Sequence, residues 1–329
     1  MLSDVLGTLG REYVRHAPPI LVPGLLAERV NRVLRSRPRE RLARTRSGER
    51  IITDSGDLIQ RYIALFGVWE PHLSFWVRTR LRPGDVLIDV GANIGYFTLL
   101  ASTLVGEHGR VVALEASPQF HARLVEHTDL NGCANVRAVN IAVADRREVL
   151  TFILASTSNL GATSMVPYDG PAESVFTVDA HPLTDLLTPA EIAATRMVKI
   201  DVEGSEGRVM RGLAGLLDRL RPDAEIVVEV TPDRMRRIGD DVDELLTIMR
   251  VNGFHTYRLP TDYRARSYPS ALRHPQPPAR SNRDRNRTRL LPHRRRSARL
   301  TSTAPADYLG TVVLDDRTAS VGRRPRTPV

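Results

Sequence analysis

From residue 86 onward the chain alternates between two patterns. Short apolar runs rich in β-branched residues occur at VLIDVG (86–91), RVVALEA (110–116), VRAVNIAVAD (136–145), REVLTFILA (147–155), RMVKIDVEG (196–204), EIVVEVT (225–231) and FHTYRL (254–259). Between several of them lie stretches with helical spacing: IGYFTLLASTLV (94–105), SPQFHARLVEHTDLNG (117–132), SEGRVMRGLAGLLDRL (205–220) and DDVDELLTIMRVNG (240–253). Pro118 after Ser117 and the closing Asn131-Gly132 are start and stop signals for the second of these. Strands that alternate with helices bury both faces of a sheet, and this predicts an α/β fold with a mostly parallel sheet.

In such open sheets, ligands bind beyond the carboxyl ends of the strands. Gly91, Glu115, Asp145 and the Asp201–Glu203 pair all fall at those ends. Gly91 and Gly95 let the backbone turn tightly and approach a ligand, at the start of a helix whose free N–H groups favour acceptor groups. Their spacing is G-x-N-x-G. A dinucleotide fingerprint needs G-x-G-x-x-G to seat a pyrophosphate, which disfavours NAD and a nucleotide-linked oxidoreductase, and no phosphate loop ending in Lys-Ser/Thr is present. Glu115 lies twenty residues after Gly95, at the end of the next strand, where a carboxylate can accept both hydroxyls of a ribose. A glycine turn and an acid without phosphate chemistry suit a nucleoside cofactor, S-adenosylmethionine.

Several segments in order, IDVGANIGYFTLLAS, VVALEASP, NLGATS, VKIDVEGSE and IVVEVTP, resemble the FkbM-type S-adenosylmethionine-dependent methyltransferases. The resemblance runs from about residue 51 to 260. It implies a Rossmann-like class I methyltransferase fold, with a seven-stranded sheet whose last strand is antiparallel and helices on both faces. It implies O-methylation of a sugar or a natural-product small molecule, so the expected partner is a small hydroxyl acceptor. By position it places Asp89, Gly91, Asn93 and Gly95 in the cofactor loop, Glu115 on the ribose and Asp145 near the adenine. Tyr96 and Phe97 are candidates to pack on the adenosine or the sulfonium.

Lys199 is the only lysine among 47 basic side chains. If 196–204 is one strand, Lys199, Asp201 and Glu203 share a face. A hydroxyl nucleophile must lose its proton during methyl transfer, so this trio is the candidate catalytic group. Either Asp201 or Glu203 is the base and Lys199 orients it, or Lys199 is itself the base. Neighbouring carboxylates raise a lysine pKa, which favours a carboxylate. Ser205 is a candidate helix cap and Glu206 lies near the positive end of the next helix. Asn159, Ser164, Glu206 and Glu229 are candidate substrate contacts. Asp201, Glu203 and Glu229 are oxygen donors able to take Mg²⁺, although nothing in the spacing demands a metal.

Composition limits the alternatives. The net charge is +9, but residues 264–300 hold twelve arginines and one acid, contributing +11, so the remainder is −2. No nucleic-acid groove is expected on the folded body. The arginine- and proline-rich segment 263–303 is expected to be disordered. It reads as a flexible basic loop, as an arm for nucleic acid or an anionic surface, or as a frameshifted stretch. In the second case the chain would be a degenerate methyltransferase fold acting as a binding module. The remaining divisions are an N-terminal helical, basic extension (1–50), the α/β body (51–262), a candidate last strand (304–316) and a tail (317–329). The single cysteine, Cys133, excludes an intrachain disulfide framework and fits a cytoplasmic location. No apolar run is long enough to span a membrane.

Overall fold

The computed structural model describes residues 2–154, 163–164, 174–280 and 310–315. The chain begins with α1 (Leu2–His16), α2 (Gly24–Ser36), β1 (Glu40–Arg44), β2 (Arg50–Asp54), α3 (Leu58–Phe66) and α4 (Pro71–Arg80). The body continues through β3 (Val86–Val90), α5 (Tyr96–Val105), β4 (Arg110–Glu115), α6 (Pro118–Asn131), β5 (Val136–Asn140) and β6 (Ala142–Val143). Next come β7 (Glu148–Leu154), β8 (Thr163–Ser164), β9 (Ser174–His181), α7 (Leu183–Leu186), α8 (Pro189–Ala194), β10 (Thr195–Ile200) and α9 (Glu206–Ala214). The last elements are β11 (Glu225–Val230), α10 (Pro232–Arg237), α11 (Val242–Val251), β12 (His255–Arg258), α12 (Tyr268–Arg273), β13 (Ala279–Arg280) and β14 (Gly310–Asp315).

The main sheet has the order β13-β12-β14-β11-β10-β3-β4-β5. β11, β10, β3, β4 and β5 run parallel to their neighbours, whereas β14 is antiparallel to both β11 and β12. Setting aside the two-residue β13, this is the expected seven-stranded, mostly parallel sheet. β3 and β10 are buried along their whole length, as strands covered on both faces must be. Local signals set the helix ends. Ser117 caps α6 by accepting from the Phe120 amide, and Gly132 closes it in the left-handed region.

Four expectations need correction. First, β6, β7, β8 and β9 do not extend the main sheet; they form a second, four-stranded sheet. Second, the division at residue 50 cuts through the β1–β2 hairpin. Val14, Val22, Ala27, Val30 and Leu34 also join the same core as Leu65, Phe66 and Leu99, so the N-terminal extension is part of the body. Third, residues 263–280 of the segment expected to be disordered are built into the fold, and 281–303 lie outside the described residues. Residues 264–280 include α12 and β13, and Tyr268 is almost fully buried, stacked on Phe66 at 4.7 Å and edge-on to Tyr62 at 4.7 Å. Composition misleads here because one aromatic anchor inserted in the core outweighs its arginine-rich neighbours. Fourth, the strand predicted over 196–204 ends at Ile200, because Glu203 and Gly204 take positive φ, +56° and +116°. Among the described residues no helix is long and apolar enough to cross a membrane.

Candidate active site

A cleft of about 390 Å³ opens at the carboxyl ends of β3, β4, β10 and β11. Its first half is bounded by Gly91, Asn93, Glu115, Phe120 and the segment Ile141–Ala144, with Leu150 and Phe152 of the second sheet as a wall. Its other half is bounded by Trp69, Asp201, Glu203, Glu229, Arg234 and Tyr263.

The glycine turn is dictated by close packing. Gly91 has φ +76°, and a Cβ there would fall 1.8 Å from the Asp201 carbonyl oxygen. The loops after β3 and β10 therefore touch, also joined by the Asp201 amide donating to the Val90 carbonyl at 3.0 Å. Glu115 faces this turn. Its Oε2 accepts from the Asn93 amide at 2.7 Å and its Oε1 from the Ser117 amide at 2.9 Å. Burial pushes its carboxyl up to about 7, against the pull of the two amides. The carboxylate is thus fixed in orientation while keeping lone pairs directed to the cleft.

Lys199 sits behind the cleft rather than in it. The register of the parallel pair puts Lys199 opposite Asp89. Its Nζ lies 3.3 Å from Asp89 Oδ1, 3.4 Å from the Gly91 carbonyl and 3.6 Å from Asp201 Oδ2, and 5.3 Å above the Phe97 ring. Burial alone would lower its pKa, but Asp89, Asp201 and Glu70 outweigh burial and hold it above the ordinary lysine value. These carboxylates favour the ammonium form, and as a cation Lys199 ties Asp201 to Asp89 of the sheet. Asp89 is buried with it and also accepts from the Thr98 hydroxyl at 2.7 Å.

The acidic half of the cleft brings Asp201, Glu203 and Glu229 together, but not by strand alternation. Asp201 and Glu203 come from the loop after β10, and Glu203 is ion-paired to Arg234 of α10. Burial raises Glu203 to about 7 despite that arginine. Glu229 is held well above its ordinary value, first by burial and then by the neighbouring Asp201, Glu70 and Glu203. Tyr263 completes the group, with its hydroxyl 2.9 Å from Glu229 Oε1 and 2.7 Å from Glu70 Oε1. Its ring stacks on Trp69 at 5.2 Å with planes 6° apart.

The other predicted residues lie elsewhere. Gly95, with φ +91°, packs against Leu124 and starts α5. Tyr96 is buried with its hydroxyl 3.0 Å from Ser74 Oγ, and neither it nor Phe97 lines the cleft. Asp145 is also not on the cleft wall, because Arg208 and Arg211 of α9 capture it at 3.2 and 3.3 Å. Glu206 is fully buried behind the cleft, accepting from the Gly204 amide at 2.9 Å and the Thr231 hydroxyl at 3.0 Å. The expected Ser205 side-chain cap is not made. Asn159 lies outside the described residues, and Ser164 is placed only as part of β8, paired with Ile153. Among the described residues no group of three His, Cys, Asp or Glu side chains is arranged to hold a metal ion. Sequence reasoning missed Glu70, Trp69, Arg234 and Tyr263. The first two flank the helix-starting Pro71, a signal for α4 but not for a site. Tyr263 stands at the edge of the segment that composition marks as disordered.

The order of the main sheet, its single antiparallel insertion and a cleft framed by a glycine turn and a ribose-compatible acid define the class I methyltransferase fold. The chain belongs to the FkbM methyltransferase family: the model of the methyltransferase FkbM domain matches residues 89–256. It is 32% identical over 204 residues to the 31-O-demethyl-FK506 methyltransferase FkbM of Streptomyces tacrolimicus, covering 53% of this chain and 74% of that protein. It is 29% identical over 154 residues to the hexuronic acid methyltransferase AglP of Haloferax volcanii, covering 44% of this chain and 56% of that one. Among solved structures, the FkbM methyltransferase of Methylobacillus flagellatus KT matches with a TM-score of 0.38 and 16% identity, over 63% of this chain and 51% of that one. The matches thus span little more than half of the length of the latter two proteins.

Proposed function

We propose that the protein is an S-adenosylmethionine-dependent O-methyltransferase acting on a hydroxyl of a sugar or natural-product small molecule. The observation that carries this reading is the division of one cleft into two chemically different halves: a glycine turn facing Glu115, and an acidic group, Asp201 with Glu229, beside the stacked pair Trp69 and Tyr263. The first half suits a nucleoside, because the Cβ-free Gly91 admits close backbone approach and Glu115, oriented by two backbone amides, has lone pairs left for a ribose diol. Gly91, Asn93 and Glu115 would hold the cofactor, which supplies a methyl group on a sulfonium when bound. The two curated relatives, one named for 31-O-demethyl-FK506 and one for hexuronic acid, favour a hydroxylated small acceptor.

The protein's own residues perform three tasks in this reading. Trp69 and Tyr263 offer an apolar, flat platform to the acceptor. Asp201 takes the proton from the acceptor hydroxyl, a contribution of ~10²–10⁴-fold in rate, with Glu229 sharing that proton. Lys199 holds Asp201 in place from behind, a positioning role. Calorimetric titration with S-adenosylmethionine, its demethylated product and NAD tests the cofactor. Binding of the first two but not NAD, weakened at least tenfold in Glu115→Gln, is the expected result. Binding of NAD alone would refute the reading.

A further inference from the structure

A second cavity of about 270 Å³ lies beside the cleft, between the start of α4, the loop after β12 and α12. Glu70 lines this second cavity and not the cleft, Glu229 lines the cleft and not the second cavity, and Tyr263 lines both. The phenol stands between the two carboxyls at 2.9 and 2.7 Å. A phenol carries one proton and can donate to only one of them. For both contacts to be hydrogen bonds, the other carboxyl must be protonated and donate to the phenol oxygen. Asp201 lies beside Glu229 on the cleft wall, and its charge is among the causes that push Glu229 above its ordinary value. Three side chains thus form a continuous hydrogen-bonded line, Glu229, Tyr263 and Glu70, with Asp201 next to its inner end in the cleft. The outer rim of the second cavity is formed by the exposed residues Asp262, Ser270, His274 and Gln276, so the line runs from the acceptor end of the cleft to water on another side of the molecule.

We propose that Asp201, Glu229, Tyr263 and Glu70 form a relay that carries the acceptor's proton out of the cleft into the second cavity. This rests on the methyl-transfer reading above. The oxygen keeps the electron pair of its O–H bond and uses it to form the bond to the methyl carbon, while the proton passes to the Asp201–Glu229 pair. Glu229 then gives a proton to the Tyr263 oxygen as Tyr263 gives its own to Glu70. Tyrosine is neutral before and after, and Glu70 releases one proton per turnover to the second cavity.

The test uses the full chain. Tyr263→Phe keeps the ring on Trp69 and deletes only the hydroxyl. Its kcat is expected to fall about 10²-fold, with KM and S-adenosylmethionine affinity within twofold of wild type. Glu70→Gln, at a residue outside the cleft, is expected to lower kcat similarly. Wild-type kcat in both variants would overturn the relay, as would a loss of kcat matched by losses in KM and cofactor affinity, which would mean a packing role. Infrared spectroscopy supplies a readout independent of turnover. The wild-type protein at neutral pH is expected to show a protonated-carboxyl C=O band that weakens in Glu70→Gln and in Glu229→Gln. If the wild type binds S-adenosylmethionine but methylates no hydroxyl acceptor, the functional reading falls by itself. What stands then is the protonated hydrogen-bonded line alone, and the absence of the band overturns that as well.

Discussion

Lys199→Met isolates the role of the lone lysine. Methionine is close to lysine in length and is unbranched, so the substitution chiefly removes the ammonium. Left behind are Asp89, fully buried, and Asp201, each deprived of a cation at 3.3 and 3.6 Å. Removing one partner of a buried ion pair costs ~3–5 kcal/mol, a large share of a total stability of about 5–15 kcal/mol. Urea unfolding should show a loss in that range at an unchanged denaturant slope. The pair should also be coupled: Lys199→Met with Asp89→Asn should recover at least half of the loss, because the orphaned charge is gone. The sign with pH follows from the raised lysine pKa. Its stabilisation is complete below the ordinary lysine range and is lost only as pH rises through the still higher folded value, so the difference between variant and wild type should be flat from about pH 6 to 9. A loss below about 1 kcal/mol, or a double variant whose loss is the plain total of the two single losses, would refute the reading of Lys199 as the cation holding this site together. Lys199→Arg keeps the charge but overpacks the position at ~1–3 kcal/mol, and turnover should fall while S-adenosylmethionine still binds.

Three further outcomes are expected. Gly91→Ala forces a Cβ to within 1.8 Å of a backbone oxygen at positive φ; calorimetry should show loss of S-adenosylmethionine binding, together with a destabilisation of ~4 kcal/mol or more. Glu206 is raised to about 8 by burial, and its Oε2 has no partner among the described residues. Its contribution is therefore full below the ordinary carboxyl range and is lost as pH rises through about 8, so Glu206→Gln should gain stability relative to wild type between pH 5 and pH 8 in paired unfolding titrations. Tyr268→Ala should cost ~3–5 kcal/mol in the same assay, because a buried aromatic is removed from the core; a cost near zero would mean that the segment after 263 is not docked.

The alternation of strands and helices was legible because each β-branched run is short and each helix carries its own stop signal, as Gly132 does for α6. The glycine turn and Glu115 were legible because strand ends are where such sheets bind ligands. What could not be read was contact between distant segments. Asp145 sits at a strand end like Glu115, yet two arginines of α9, more than sixty residues later, turn it aside. Lys199, Asp201 and Glu203 have the spacing of a shared strand face, but the backbone leaves the extended region at Glu203, where Gly204 makes the reversal easy. Tyr263 and Tyr268 were hidden by the composition around them, since a window average does not register one side chain that finds a pocket. Glu70 reaches the site only because Tyr263, 193 positions later, comes to meet it.

The place of β14 in the main sheet bears on how the molecule is made. β14 lies between β11 and β12, paired to both, but follows β12 in the chain after a long intervening stretch. During synthesis β11 and β12 therefore emerge with an empty slot between them. Until Gly310–Asp315 has left the ribosome, the apolar edge of β11 offers unpaired backbone groups to any passing strand. The nascent chain is thus most exposed to aggregation in the interval after β12 has emerged and before β14 has, and chaperone demand should peak in that interval. A brake on translation before the β14 codons would prolong that exposure, whereas one before β11 would not.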